Sequence, residues 1–157
     1  MKIIQSAFLN LEQKETAFKL WNSEYPKRIC YSKISEFENY LEVLSNACHY
    51  LLIDDENQIS GWAFTFVREE DIWFAIILNS KIQLKGYGSL LLEELKKNCP
   101  VLNGWVIDHQ NEVKQNKQPY ISPILFYTKN GFTINPDIRI KNDKISAIKI
   151  RWERSVR

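Results

Sequence analysis

The chain has 157 residues, 45% apolar and 25% charged side chains, and a net charge of +2. That length suits a single domain with a real core, and the charge is too small to carry binding to nucleic acid or to an anionic membrane. Aromatic residues reach 13%, five of them Trp, so a bulky core is expected.

Residues 2–6 read as a short first strand. Asn10 and Gln13 form a capping-box pattern ahead of a helix whose Ala17, Phe18, Trp21 and Tyr25 share one face. Pro26 ends that helix, because it disfavours helical geometry at Tyr25. A basic loop, "PKRICYSK", leads to a second helix, for which Ser35 and Glu38 predict a capping box and Phe37, Tyr40, Leu41 and Leu44 the apolar face. Apolar runs at 49–53, 59–67 and 72–78, separated by "DDENQ" and "REED", predict an antiparallel meander with 59–67 at its centre.

A glycine turn follows, "QLKGYGSLLLEELKK", with a helix over 87–98 stopped by Pro100 and a strand over 101–107. Residues 108–120 are polar and patternless, a length that marks a functional or mobile loop. Ser122 and Pro123 predict an N-cap and first helical position, and Gly131 the end of "ILFYTKN". A hairpin over 132–140 and 145–152 closes the chain, with Ile148, Ile150 and Trp152 pointing one way. Helices interleaved with a meander imply an α/β chain of the α+β mixed kind, with helices on both faces of a mixed sheet.

Cys30, Cys48 and Cys99 are scattered and show no zinc-site spacing, so a reducing compartment and no metal are expected. The start, "MKIIQSAFLN", lacks a signal-peptide pattern, and no apolar run reaches membrane-spanning length. The expectation is a soluble cytoplasmic protein. The late basic residues Arg139, Lys141, Lys144, Lys149, Arg151, Arg154 and Arg157 alternate with apolar ones, which reads as the wet face of a hairpin rather than a nucleic-acid surface.

The glycine turn carries the first functional signal. The N–H groups opening a helix lack intrahelical acceptors and favour an anion, Gly86 and Gly88 remove side chains, and Lys85 adds charge. The P-loop pattern fails, because Ser89-Leu90 follows Gly88, and the dinucleotide fingerprint fails at Leu91. By itself Gly-x-Gly is equally a turn that lets the helix pack on its strand.

Taken with its surroundings, Gln83-x-x-Gly86-x-Gly88 resembles the acyl-CoA loop of the GNAT acyltransferase superfamily, and "FYTKNGF" at 126–132 resembles that family's Tyr-x-x-x-Gly-Phe. The resemblance covers nearly the whole chain. It implies a mixed, mostly antiparallel sheet of about six to seven strands and an N-acetyltransferase that uses acetyl-CoA as co-substrate and no metal. In such enzymes the loop binds the CoA pyrophosphate, which implies roles for Gln83, Leu84, Lys85, Gly86, Tyr87, Gly88 and Ser89. The pantetheine arm would lie on Ile76, Ile77 and Leu78, between strands 72–78 and 101–107 that splay apart. Tyr127 matches the general acid that protonates the leaving thiolate, and a phenol with an ordinary pKa of about 10 holds its proton at neutral pH.

The base is not identified by the motif. Asp108 is the candidate, beside His109 at a strand end, while Glu69, Glu70 and Asp71 lie in a turn and His49 reads as a core or edge histidine. Tyr120 stands where many members carry an Asn that contacts the CoA arm, and Asn111 is displaced from that place. The loop 26–34 would shape the acceptor site, and its Lys27, Arg28 and Lys33 suggest an acidic group on the acceptor. The implied acceptor is a small-molecule or peptide amine, attacked directly in a ternary complex. The resemblance admits a homodimer and calls for no nucleic acid or membrane. The alternatives are a non-catalytic acyl-CoA-binding or regulatory domain of the same fold, and a plain interaction domain.

Overall fold

The computed structural model describes residues 1–155. Its first helix, α1 (Leu11–Glu24), follows strand β1 (Lys2–Ser6) and carries the capping box in full. Gln13 N donates to Asn10 Oδ1 at 2.8 Å, and Asn10 N donates to Gln13 Oε1 at 2.9 Å. Tyr25, extended ahead of Pro26, ends it. The second helix, α2 (Ile34–Glu42), departs from expectation. It starts one residue before Ser35, Lys33 takes the N-cap, and Ser32 Oγ bonds Glu36 at 2.7 Å, so Ser35 and Glu38 form no capping box. The Ser32–Glu36 pair supplies the fastening one turn earlier.

Strands β2 (Ser45–Ile53), β3 (Ile59–Arg68) and β4 (Asp71–Leu78) form the antiparallel meander. β2 begins earlier than its apolar run, because a register shift between Ser45 and Cys48, with Asn46 at φ 52°, interrupts the alternation there. Then come α3 (Tyr87–Asn98), β5 (Val101–Val106), α4 (Ile124–Lys129), β6 (Thr133–Lys141) and β7 (Ser146–Glu153). The seven strands run β1-β2-β3-β4-β5-β7-β6, and β4–β5 is the parallel pair. Ile148, Ile150 and Trp152 share a face, opposite Val106, Gly104 and Leu102.

Two cores flank the sheet. On one face Leu91, Leu92 and Leu95 of α3 and Tyr127 of α4 pack with Phe74, Leu102 and Ile150. On the other, Ala17, Leu20 and Trp21 of α1 and Phe37 of α2 pack with Trp62, Phe64 and Trp73. The three α3 leucines are 0% exposed, so truncating any one to Ala costs about 2–5 kcal/mol. They anchor the glycine turn that precedes them.

Two further expectations change. Pro123 is the N-cap of α4, and the Ser122 hydroxyl, drawn to the Ile107 carbonyl, ties the end of β5 to the start of α4. The late basic residues are not a plain wet face. Arg139 pairs with Asp108, Arg151 with Asp71 and Glu153, and Arg154 donates to the Lys96 and Lys97 carbonyls at the end of α3. Arg157 lies outside the described residues. No helix is long and apolar enough to cross a membrane among the described residues.

Candidate active site

The sheet opens between β4 and β5. β4 pairs with β3 along its whole length, from Arg68↔Asp71 to Gly61↔Leu78, but with β5 only at Trp73↔Asn103. Both strands run the same way, so the single pair near their starts leaves a wedge widening toward Leu78 and Val106. Asn103, 0% exposed, closes the narrow end by donating from Nδ2 to Ile72 O at 3.0 Å. Ile76 and Leu78 are half-buried along the wedge, and Ile77 is buried toward α1.

The glycine turn sits at the wide end. Gly86 is the N-cap of α3 at φ 91°, with open space where a Cβ would be and no side chain capping the helix. That left-handed conformation is what favours glycine there. Gly88 has a packing reason to be small, one that its spacing does not record. A Cβ on it would meet Phe126 Cζ at 2.9 Å, so it is small to seat that ring from α4. Leu84, at φ 63°, is a second left-handed residue, and its side chain is fully exposed. Lys85 is exposed, Tyr87 and Ser89 are half-buried, and the N–H groups of the first helical turn face no side-chain cap. Gln83 donates from Nε2 to Leu78 O at 2.9 Å, which fastens the turn to the end of β4.

Tyr127 lies on the α3 side, its ring 5.8 Å from Phe74 and 5.4 Å from Phe132. Its hydroxyl has no hydrogen-bond partner among the described residues and is not sealed from solvent. Burial, reinforced by Tyr120, pushes its phenol well above the ordinary value, so it holds its proton at neutral pH. Tyr120 is pushed up to about 12 by burial. Tyr25 is raised by burial and then by Tyr120 and Tyr127, which puts the three phenols in one electrostatic neighbourhood.

Among the carboxylates weighed as a base, Asp108 and Asp71 are engaged by arginines. Asp108 forms a two-pronged pair with Arg139, at 2.6 and 3.0 Å, which holds its carboxyl below the usual range. That makes it a poor proton acceptor. His109 accepts from Asn111 N at 3.2 Å, and Asp71 is bound to Arg151. His49 is buried in the sheet and accepts from Trp62 Nε1 at 3.0 Å. Glu69 and Glu70 are exposed in the β3–β4 turn.

Residues 108–120 are ordered rather than patternless. A bridge between Val113 and Pro119, Tyr120 N on Glu112 O, and Lys114 N on Gln118 O make a small hairpin. It is bolted to loop 26–34 by Lys27 N on Val113 O at 2.8 Å and by Arg28 on the buried Glu112. Arg28 is therefore neutralised from within, which removes it from the cations suggested for the acceptor.

The sequence reading missed Glu24. This buried carboxylate accepts from Ser80 N at 3.1 Å, Lys114 Nζ at 3.1 Å, Ser23 Oγ at 3.3 Å and Gln83 Nε2 at 3.4 Å. It thus joins α1, the glycine-turn approach and the 108–120 hairpin. Its signal was an acidic residue at the C-terminal end of a helix, where the dipole disfavours it. Among the described residues, no group of three His, Cys, Asp or Glu gathers as a metal site.

No protein-family model matches the sequence. The uncharacterized protein YxbD of Bacillus subtilis (strain 168) is 32% identical over 90 residues, 55% of this chain and 50% of that one, so the match spans half of that relative's length. An aminoglycoside 6'-N-acetyltransferase complexed with coenzyme A superposes at TM-score 0.74 with 15% identity, over 100% of this chain and 99% of its own. The ribosomal-protein-S18-alanine N-acetyltransferase from Escherichia coli superposes at 0.63 with 18% identity, over 99% and 96%. The chain has the fold of these enzymes, the GNAT fold.

Proposed function

We propose that the chain is a single-domain, acetyl-CoA-dependent N-acetyltransferase acting on an amine by direct attack in a ternary complex. The observation that supports it most is the wedge between β4 and β5, with an uncapped helix start behind Gly86 at its wide end. The N–H groups of Tyr87, Gly88 and Ser89 would take the pyrophosphate, with Lys85 adding charge and Gln83 and Leu84 shaping the turn. The free edge of Ile76, Ile77 and Leu78 would pair with the pantetheine arm, and an N–H there would stabilise the tetrahedral oxyanion.

In that reading the amine nitrogen forms the new C–N bond, the C–S bond breaks, and Tyr127 gives its proton to the departing thiolate. The amine's proton leaves through water, because Asp108 is committed to Arg139. The solved neighbour with coenzyme A supports the choice of acyl carrier. Calorimetric titration with acetyl-CoA, followed by thiol release over an amine panel, tests the reading. Binding with release is expected. Binding without release favours the non-catalytic alternative, and absence of binding sinks both.

A further inference from the structure

Trp73 stands at the closed end of the wedge, on the face covered by α1 and α2 and opposite Tyr127. It is 7% exposed, and its indole N–H is buried without a hydrogen-bond partner, the one side-chain N or O atom in that state among the described residues. A buried unpaired donor is uncommon and asks for an explanation. Its surroundings supply one. The ring lies 5.3 Å from that of Trp105, with Lys149 Nζ 5.5 Å and the Arg68 guanidinium 5.8 Å from its centroid. Lys149 sits opposite Trp105 in register on β7, and Arg68 reaches over from the end of β3, also covering Phe66 at 4.9 Å.

The two cations differ from four basic side chains that flank the wedge. Arg28, Lys114, Arg139 and Arg151 each have a carboxylate partner, whereas neither Arg68 nor Lys149 enters an ion pair among the described residues. A buried donor without a partner, two cations without ion pairs beside its ring and the Trp105 ring next to it make a site for a planar anion. The same two cations repel a polycationic acceptor.

We propose that this site binds a carboxylate carried by the acceptor, so that the amine belongs to an amino acid or a similar carboxylate-bearing monoamine. Arg68 and Lys149 supply the charge and Trp73 Nε1–H the directed bond. Both cations are long and flexible and lie over the ring, so they move aside from it to close on the anion. The consequence for turnover rests on the N-acetyltransferase reading above, and binding of the carboxylate does not.

The experiment has two arms. Thiol release from acetyl-CoA is followed with glycine and L-phenylalanine, with their amides, and with spermidine. Binding of N-acetyl-L-phenylalanine and of its amide is measured calorimetrically without acetyl-CoA. The acids are expected to exceed the amides in kcat/KM, and the carboxylate probe to exceed its amide in affinity, by about tenfold, the scale of one hydrogen bond to a charged group. Arg68→Met and Lys149→Met, each checked for a native melting transition, should carry both ratios toward one, and Trp73→Phe should lower them in part. Amides or spermidine used as well as the acids, or a probe bound no better than its amide, overturn the proposal. A chain that binds the carboxylate through Arg68 and Lys149 but not acetyl-CoA keeps the site and loses the transferase reading.

Discussion

Asn103 Nδ2 donates to the Ile72 carbonyl at 3.0 Å across the one point where β4 and β5 are paired. Its Oδ1 accepts from Arg151, which also holds Asp71, so a fully buried amide staples three strands where the wedge begins. Replacing it with Leu keeps the volume and leaves the Ile72 carbonyl and the guanidinium short of partners. Asn103→Leu is expected to cost about 1–3 kcal/mol. Urea unfolding reads this directly, and an unchanged midpoint would remove the staple from the account.

Gly86 can be charged without crowding, because nothing lies within 4 Å of a Cβ there. Asn and Asp both tolerate its left-handed backbone better than other residues. Gly86→Asp should therefore weaken acetyl-CoA binding by at least about tenfold through repulsion of the phosphates. Gly86→Asn is the uncharged control and should lose far less. Equal Kd values for the two would place the pyrophosphate elsewhere.

Tyr127→Phe removes a hydroxyl that makes no internal hydrogen bond, so the fold should hardly notice. Loss of a general acid lowers kcat by about 10²–10⁴, with acetyl-CoA affinity nearly unchanged. Wild-type turnover in a folded variant would end the proton-donor assignment.

Glu24 and Lys114 meet at 3.1 Å with side chains only 8% and 16% exposed. A double-mutant cycle with Glu24→Gln and Lys114→Met should return a coupling energy of about 0.5–3 kcal/mol. Both variants should also raise the Kd for acetyl-CoA, since Glu24 fastens Ser80 and Gln83 ahead of the glycine turn. Additive stabilities with unaltered affinity would reduce the pair to an incidental contact.

His49 makes stability depend on pH. Burial lowers its pKa from an ordinary 6.5 to about 4. Between those values the unfolded chain holds the extra proton, so the contribution is complete above about pH 6.5 and is lost as pH falls toward 4, about 3 kcal/mol in all. Asp108 and Glu112, held low by Arg139 and Arg28, add their losses at still lower pH, below the ordinary carboxylate range. His49→Gln keeps an acceptor for Trp62 and should flatten the fall in Tm between pH 6.5 and 4. An unflattened curve would assign that slope to other groups.

Much of the fold was legible because local chemistry sets it. The Asn10 box, the Pro26 and Pro100 stops and the turns of the meander act within a few residues, and each element they bound is present. Ser35 and Ser122 misled for the same reason inverted. Ahead of α2 the Ser32–Glu36 bond takes the fastening role expected of Ser35, and Ser122 gives its hydroxyl proton to a carbonyl at the end of a distant strand. The motif spacing pointed to Gly86 and Gly88 together, and only the structure adds what each one meets, a left-handed backbone at the first and a ring from α4 at the second.

By itself the sequence determined the order of elements, the glycine turn at a helix start and the tyrosine on a short late helix. Periodicity, caps and breakers are short-range and can be read one segment at a time. Only the tertiary structure decided which charges remain available. Asp108, Glu112 and Glu24 are each silenced by a cation 31, 84 or 90 residues away, while Arg68 and Lys149 are brought from separate strands to the Trp73 ring without an ion pair of their own among the described residues. Such pairings depend on how the sheet brings distant strands and loops together, and no spacing along the chain records them.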